Sequence, residues 1–266
     1  VAPGETLSSD NMEIFPGGKG LNQSIALSKA GADVIHGAIL GNDGEFLSEV
    51  MKSAGVDVSK IKKIDAPSGH AIIQVNKSGQ NCILLFAGTN HAVDRQYVEE
   101  VLKDAVAGDI VLMQNEISCL DVIFEVAKSK KMQIAFNPSP YNEVIKDLPL
   151  QYVDWWFCNE IEGEALFGSS DPNEIANNFI KKYPESNLIL TLGKNGSIFK
   201  NKTTQLYQPI YDAPRVDTTA AGDTFTGYFL NAVTSGKDFE TALKLATKAS
   251  SIAISRKGAS VSIPTA

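Results

Sequence analysis

The sequence predicts an α/β protein: a mainly parallel sheet flanked by helices in three layers, formed by a single domain over residues 1–266. Short apolar runs alternate with segments of helical periodicity, the pattern of repeated βαβ units. A polar or glycine-rich cluster follows each of the clearest runs, and open α/β sheets bind their ligands beyond the carboxyl ends of such strands. At 266 residues and 43% apolar composition the chain is long enough to bury one substantial core, and no linker, repeat or low-complexity stretch divides it.

From the amino end, Leu21, Ile25, Leu27 and Ala30 recur at helical spacing and Gly31 closes the pattern. Ala71 to Val75 and Cys82 to Phe86 are β-rich runs joined by Asn76-Lys77-Ser78-Gly79-Gln80, which predicts a hairpin set apart from the parallel layer. Asp109 to Met113, Gln133 to Phe136, Trp155 to Cys158 and Leu188 to Thr191 read as buried strands. Gln114 to Glu116, Asn137 to Ser139, Asn159 to Glu162 and Gly193 to Gly196 follow them and are expected to gather at one edge. Phe225, Tyr228, Phe229 and Ala232 mark a further helix, and Phe239, Ala242, Leu243, Ala246, Ala249 and Ala253 a second one.

Composition excludes several functions. A formal net charge of −7 argues against nucleic acid as the main partner, since a binding face needs clustered Lys and Arg. The cysteines Cys82, Cys119 and Cys158 show no Cys-x-x-Cys spacing, so neither a disulfide framework nor a zinc site is implied and a reducing cytoplasm is expected. No run reaches the roughly 18 apolar residues of a membrane helix. His36, His70 and His91 are dispersed, which gives little support to a catalytic triad.

Two glycine-containing clusters carry the chemistry. Phe15-Pro16-Gly17-Gly18-Lys19-Gly20-Leu21-Asn22 fits neither a Walker loop, since Gly20 follows Lys19, nor the dinucleotide fingerprint, since Gln23 stands at the third glycine position. It is either an ordinary tight turn before a helix or a turn that lets backbone approach a ligand, with Lys19 and Asn22 as polar groups suited to hydroxyls. Asp217-Thr218-Thr219-Ala220-Ala221-Gly222-Asp223-Thr224 places small residues at a helix start, so backbone N–H groups near Ala221, Gly222 and Asp223 are expected to favour an anion. Asp223 there either complements the helix dipole or accepts a proton from an attacking hydroxyl.

Together these clusters, in this order and nearly a chain length apart, resemble the signatures of the ribokinase family, the sugar kinases named after PfkB. The resemblance extends to Asn159-Glu160-Ile161-Glu162, to Thr191-Leu192-Gly193-Lys194-Asn195-Gly196, and to Arg256-Lys257-Gly258-Ala259 followed by Ser262. It implies a ribokinase-like fold with a small β lid over the sugar, made from about 1–16 and 68–90, with Glu5 to Phe15 supplying a strand beside the hairpin. Lids of this kind often pair between subunits, so a homodimer is expected.

The implied activity is transfer of the ATP γ-phosphoryl group to a sugar hydroxyl, ribose being the leading acceptor. Asp223 is the implied base, with N–H groups at Ala220, Ala221 and Gly222 neutralising the moving charge. Gly18, Lys19, Gly20, Asn22 and Glu116 would grip the sugar, and Asn159, Thr191, Gly193, Gly196, Gly222 and Thr247 would border ATP, although Thr247 equally borders the buried face of its helix. Glu162 is implied near Mg²⁺, through water, and Asp217, Thr219, Ala253, Arg256, Gly258 and Ser262 around K⁺. Lys19 points to ribose, whereas Leu21 departs from the Ala usual in ribose-directed members; deoxyribose, fructose, sugar phosphate and nucleoside acceptors remain alternatives, as does a binding module without catalysis. Family members also begin with a strand and an Asn-x-Asp element upstream of the lid and end in a closing helix, whereas this chain runs from Val1 to Ala266 without them. A trimmed form of a longer protein is expected, because the neighbours of a lost central strand would expose unpaired backbone groups. A chain truly beginning at Val1 is expected to bind sugar weakly.

Overall fold

The computed structural model describes residues 4–6, 8–75 and 81–266. In chain order its elements are α1 (Lys19–Lys29), β1 (Ile39–Leu40), α2 (Glu45–Ser53), β2 (Lys62–Lys63), β3 (His70–Val75), β4 (Asn81–Phe86), α3 (Arg95–Val101), β5 (Ile110–Gln114), α4 (Leu120–Ser129), β6 (Gln133–Asn137), β7 (Trp155–Asn159), α5 (Glu160–Phe167), α6 (Pro172–Lys182), β8 (Asn187–Thr191), β9 (Ser197–Lys200), β10 (Gln205–Gln208), α7 (Ala221–Thr234) and α8 (Phe239–Ile254). The main sheet has the order β10-β9-β8-β7-β6-β5, with β5 to β8 parallel and the β9–β10 edge antiparallel. The four strands predicted from apolar runs are its parallel part.

Alternation along these strands divides the core into two. Ile134, Phe136, Trp156, Cys158, Leu188 and Leu190 face one layer, which holds Val98 of α3, Phe124 of α4, Leu166 of α5 and Phe179 of α6. Ala135, Phe157, Ile189 and Phe199 face the other, built from Ile25 of α1, Met51 of α2, Phe229 of α7 and Ala246 of α8. The three-layer prediction holds, and Trp156, fully buried among Phe136, Phe167, Phe179 and Tyr183, sits at the centre of the first layer.

Register places function at one edge. Gln114 pairs with Asn137 and Asn159 with Thr191, so the last residues of neighbouring parallel strands are polar and level with one another. On the second layer, α1 and α7 approach closely because Gly227 has no side chain. A Cβ there would stand 2.5 Å from the Ala26 Cβ and 2.7 Å from the Leu27 nitrogen.

The hairpin forms as predicted, β3 pairing antiparallel with β4, while its connecting residues 76–80 lie outside the described residues. The expected third lid strand over Glu5 to Phe15 does not form: none of its described residues lies in a strand, and Val1 to Pro3 and Leu7 fall outside them. Local bonds replace the ladder, Ser9 Oγ donating to the Asn11 carbonyl and Asn11 Nδ2 to Glu13 Oε1. Met12 and Ile14, 83% and 73% exposed, find no packing face that would hold the segment extended.

The two glycines of α7 predict opposite behaviour. Gly227→Ala is expected to lower stability by about 1–3 kcal/mol, the usual cost of overpacking, read as a lower urea midpoint at unchanged slope. Gly222→Ala, whose Cβ would meet nothing within 4 Å, is expected to leave that midpoint in place; equal midpoints for the two variants would contradict the close helix contact.

Candidate active site

The glycine turn before α1 is shaped by backbone need. Gly18 caps the helix at φ 100° and ψ 139°, a region closed to other residues, and provides no side-chain cap. No acidic residue lies in the first turn of α1; the anion comes from elsewhere. Glu116, in the loop after β5, accepts the Lys19 backbone N–H at 2.9 Å, so a carboxylate 97 residues away complements the positive end of the helix. Gly20 lets Gln114 come close, since an added Cβ would lie 3.1 Å from its Oε1.

The start of α7 is a second N-terminus aimed into the same region. Ala220 takes the left-handed conformation at φ 60° and ψ 12°, and its carbonyl accepts both the backbone N–H and the hydroxyl of Thr224. The Ala221 N–H, expected among the anion donors, is instead directed at the Thr218 carbonyl at 3.2 Å, because the left-handed turn at Ala220 closes on it. Gly222 and Asp223 follow, at positions where an α-helix provides no acceptor of its own.

Asp223 is only 7% exposed and both its oxygens are held. Asn22 Nδ2 donates to Oδ2 at 2.9 Å, and Gln23 Nε2 donates to Oδ1 at 2.9 Å. Gln114 Nε2 in turn donates to Gln23 Oε1 at 2.7 Å. Asn22 Oδ1 is buried without a partner at this point, the one unsatisfied acceptor of the cluster. Burial pushes the Asp223 carboxyl above the ordinary range, against the pull of the Lys19 charge and the two amide donors. Glu116 is likewise raised, first by burial and further by Asp223, with Lys19 opposing. Behind them Ser24 Oγ meets His36 Nδ1 at 2.7 Å, and burial lowers that imidazole to about 4, leaving it neutral at physiological pH.

Two further groups adjoin this one. Asp217 Oδ1 accepts the Thr219 N–H and Oδ2 the Gly258 N–H, both at 2.9 Å, which ties the turn before α7 to the loop after α8. In that loop Ser262 Oγ donates to the Ala259 carbonyl, the Arg256 guanidinium reaches the Ser262 carbonyl at 3.5 Å, and the Arg256 N–H returns to Ala253. Along the sheet edge, Asn159 and Glu162 form a reciprocal cap at the start of α5: Asn159 Oδ1 accepts the Ile161 and Glu162 N–H groups, and Glu162 accepts the Asn159 N–H at 2.7 Å. Thr191 donates to the Cys158 carbonyl, and Gly193 and Gly196 shape the β8–β9 turn, where a Cβ on Gly196 would lie 2.2 Å from the Gln208 carbonyl oxygen. The Thr247 hydroxyl is turned into its own helix, onto the Leu243 carbonyl.

The structure thus brings Gly18, Lys19, Gly20, Asn22, Glu116 and Asp223 into one cluster, and Asp217, Thr219, Ala253, Arg256, Gly258 and Ser262 into a second beside it. Asn159, Glu162, Thr191, Gly193 and Gly196 line the same edge farther along. Sequence reading overlooked Gln23, noticed only as a missing glycine, and Ser250, whose hydroxyl donates to the Ala221 carbonyl at 3.0 Å and braces the start of α7 from α8. A polar Asn-Gln-Ser run inside a helix otherwise spaced for burial was the available signal.

The raised Asp223 carboxyl makes a stability prediction. Between its unfolded and folded pKa the native state binds more protons, so stability falls as pH rises through that window, and the cost is complete only above the folded pKa. Asn has the same shape, and Asn22 Oδ1 offers its new N–H an acceptor once the Asn22 amide turns over. The Tm of Asp223→Asn relative to the parent is therefore expected to rise with pH through that window; a difference that does not change with pH would contradict it.

Comparison with known proteins gives the family. The model of the pfkB family carbohydrate kinases matches residues 2–266. A ribokinase of Staphylococcus aureus is 34% identical over 273 residues, covering 98% of this chain and 90% of that protein. The crystal structure of a ribokinase from Cryptococcus neoformans in complex with ADP superposes with a TM-score of 0.84 at 32% identity, covering 100% of this chain and 91% of the other. A ribokinase of Arabidopsis thaliana complexed with ribose and ATP gives a TM-score of 0.87 at 28% identity, over 98% and 88% of the two chains. With a family match over nearly its whole length and a fold shared end to end with ribokinases, the chain belongs to the pfkB family of carbohydrate kinases.

Proposed function

We propose that this carbohydrate kinase transfers the γ-phosphoryl group of ATP to a hydroxyl of ribose, giving ribose 5-phosphate, with Asp223 as general base. The observation that carries the reading is a buried carboxylate, held on both oxygens by amides, at the third residue of a helix whose first turn presents backbone donors. Phosphoryl transfer asks a protein mainly to position reactants and to neutralise developing charge. Asp223 takes the proton of the acceptor hydroxyl, and its raised affinity for protons suits that task. The N–H groups of Gly222 and Asp223 face the moving group, and the open space over Gly222 admits it. Lys19, Asn22 and Glu116 hold the sugar, the unpartnered Asn22 Oδ1 being a natural acceptor for a hydroxyl.

Two cations fit the residues present. An all-oxygen set around Asp217, drawn from Thr219, Ala253, Arg256, Gly258 and Ser262, suits K⁺ and would order the turn before α7 rather than touch substrate. Glu162, 5% exposed and already bonded to the start of α5, is placed to steady waters around Mg²⁺, which neutralises nucleotide phosphate charge when bound. Thr191, Gly193, Gly196 and Thr247 would border the nucleotide. A cytoplasmic setting is supported by Cys82, Cys119 and Cys158, which are free thiols.

A homodimer through the lid is supported by the β3–β4 ribbon. Ile73, Ile83 and Leu85 lie on one face and Ile72, Leu84 and Phe86 on the other, all largely exposed. A two-stranded ribbon is marginal alone, so one face is left to cover the sugar and the other to meet a second copy.

An ATP-dependent phosphorylation screen over pentoses, hexoses and nucleosides, with and without K⁺, is expected to favour ribose. Asp223→Asn is expected to lower the rate by about 10² to 10⁴, the usual contribution of a positioned base; unchanged activity would sink the mechanism. For the lid, a charge at Ile73 and one at Leu84 are expected to separate the two faces in sedimentation velocity and sugar KM, one variant turning monomeric and the other binding sugar poorly. A parent that sediments as a monomer would refute the dimer, and a dimer unaltered in both variants would refute the lid as its interface.

A further inference from the structure

Asp223 has a second layer of support that the catalytic reading does not require. A carboxylate rotates easily about its last torsion, which is broad and two-fold, so one hydrogen bond leaves it free to pivot. Asn22 fixes Oδ2 alone. Gln23 fixes Oδ1, and the two bonds together define the carboxylate plane. Gln23 has the same freedom at its own amide, and that freedom is removed by Gln114, the last residue of β5, whose Nε2 donates to Gln23 Oε1 at 2.7 Å. An ionised carboxylate only accepts, so Gln23 turns Nε2 to the base, and Gln114 holds the Oε1 end that is left.

We infer that Gln23, completely buried between Gln114 and Asp223, is a positioning residue that transmits the order of the central sheet to the base, so that the carboxylate meets the acceptor hydroxyl in one orientation. The inference rests on Asp223 being the general base. Three elements meet at this side chain, β5 through Gln114, α1 through Gln23 itself and α7 through Asp223. The charged groups facing Asp223 are Lys19 of α1, which lowers it, and Glu116 of the loop after β5, whose own carboxyl Asp223 raises, and α8 presents the hydroxyl of Ser250 to the start of α7. A change at Gln23 leaves all of these in place.

The test compares Gln23→Met, Gln114→Leu and Asp223→Asn, each checked for folding by its melting curve. Gln23→Met keeps length and removes the donor, so kcat is expected to fall about tenfold to a hundredfold, the scale of a mispositioned reacting group, with sugar KM little changed. Loss of a donor to the charged form also makes Asp223 bind its proton more readily, so the acid limb of the kcat/KM profile moves to higher pH. Gln114→Leu leaves the bond to Asp223 but frees the Gln23 amide to turn, and is expected to lower kcat in the same direction by less. A purely structural role would shift Tm while leaving kcat and the acid limb of the folded enzyme unchanged, and that result overturns the inference. If Gln23→Met fails to fold, Gln114→Leu decides: unchanged kcat there overturns it equally. Full activity in Asp223→Asn would instead overturn the base assignment, so the two failures are distinguishable.

Discussion

The site depends on the contact of Gly227 in α7 with Ala26 and Leu27 in α1. Only a residue without a Cβ lets the two helices approach so closely, and one turn away the same closeness brings Asn22 and Gln23 within 2.9 Å of Asp223. The partners are 201 and 200 residues apart, so these bonds join the first helix of the chain to the penultimate one. Closing so long a loop is costly until the strands between are in place, and the cluster around Asp223 is therefore a product of the finished fold rather than of any local segment.

Charge at the junction follows the same logic. Two helix N-termini converge, and each receives one carboxylate: Glu116 for α1, from across the sheet edge, and Asp223 for α7, from its own first turn. Donors and the Lys19 charge favour ionisation at both, yet burial outweighs them and both carboxyls sit above the ordinary range. A surface acid at a helix start would be pulled the other way. The fold thus places at the start of α7 an acid whose proton affinity is set by desolvation, the adjustment that would suit the proposed base.

Much of this was legible in the chain. The parallel strands announced themselves as apolar runs buried on both faces, and the Asp217 to Thr224 stretch disclosed a helix start because small residues precede a helical period. Elements that owe their form to distant partners were not legible. β1 is two residues, Ile39 and Leu40, and exists only because Lys62 and Lys63 lie alongside. Glu5 to Phe15 carries enough apolar residues for a strand, but pairing depends on a neighbour and on a packing face, which no local pattern encodes. Gln23 reads locally as a polar residue within a helix. Its meaning appears only when β5 and α7 flank it.

The glycines of α7 show why spacing alone cannot assign a role. Gly222 and Gly227 lie on one helix, five positions apart, and the signature that singles out Gly222 says nothing of Gly227. At Gly227 the missing side chain is filled by another helix, with Ala26 and Leu27 in the space a Cβ would take. At Gly222 nothing lies within 4 Å, on the face where the first backbone donors of the helix emerge. One small residue is a packing solution, and the other leaves the space that the proposed phosphoryl transfer would use. The same residue type therefore stands in two surroundings on one helix, and the occupancy of each glycine's empty side-chain position tells the packed one from the open one.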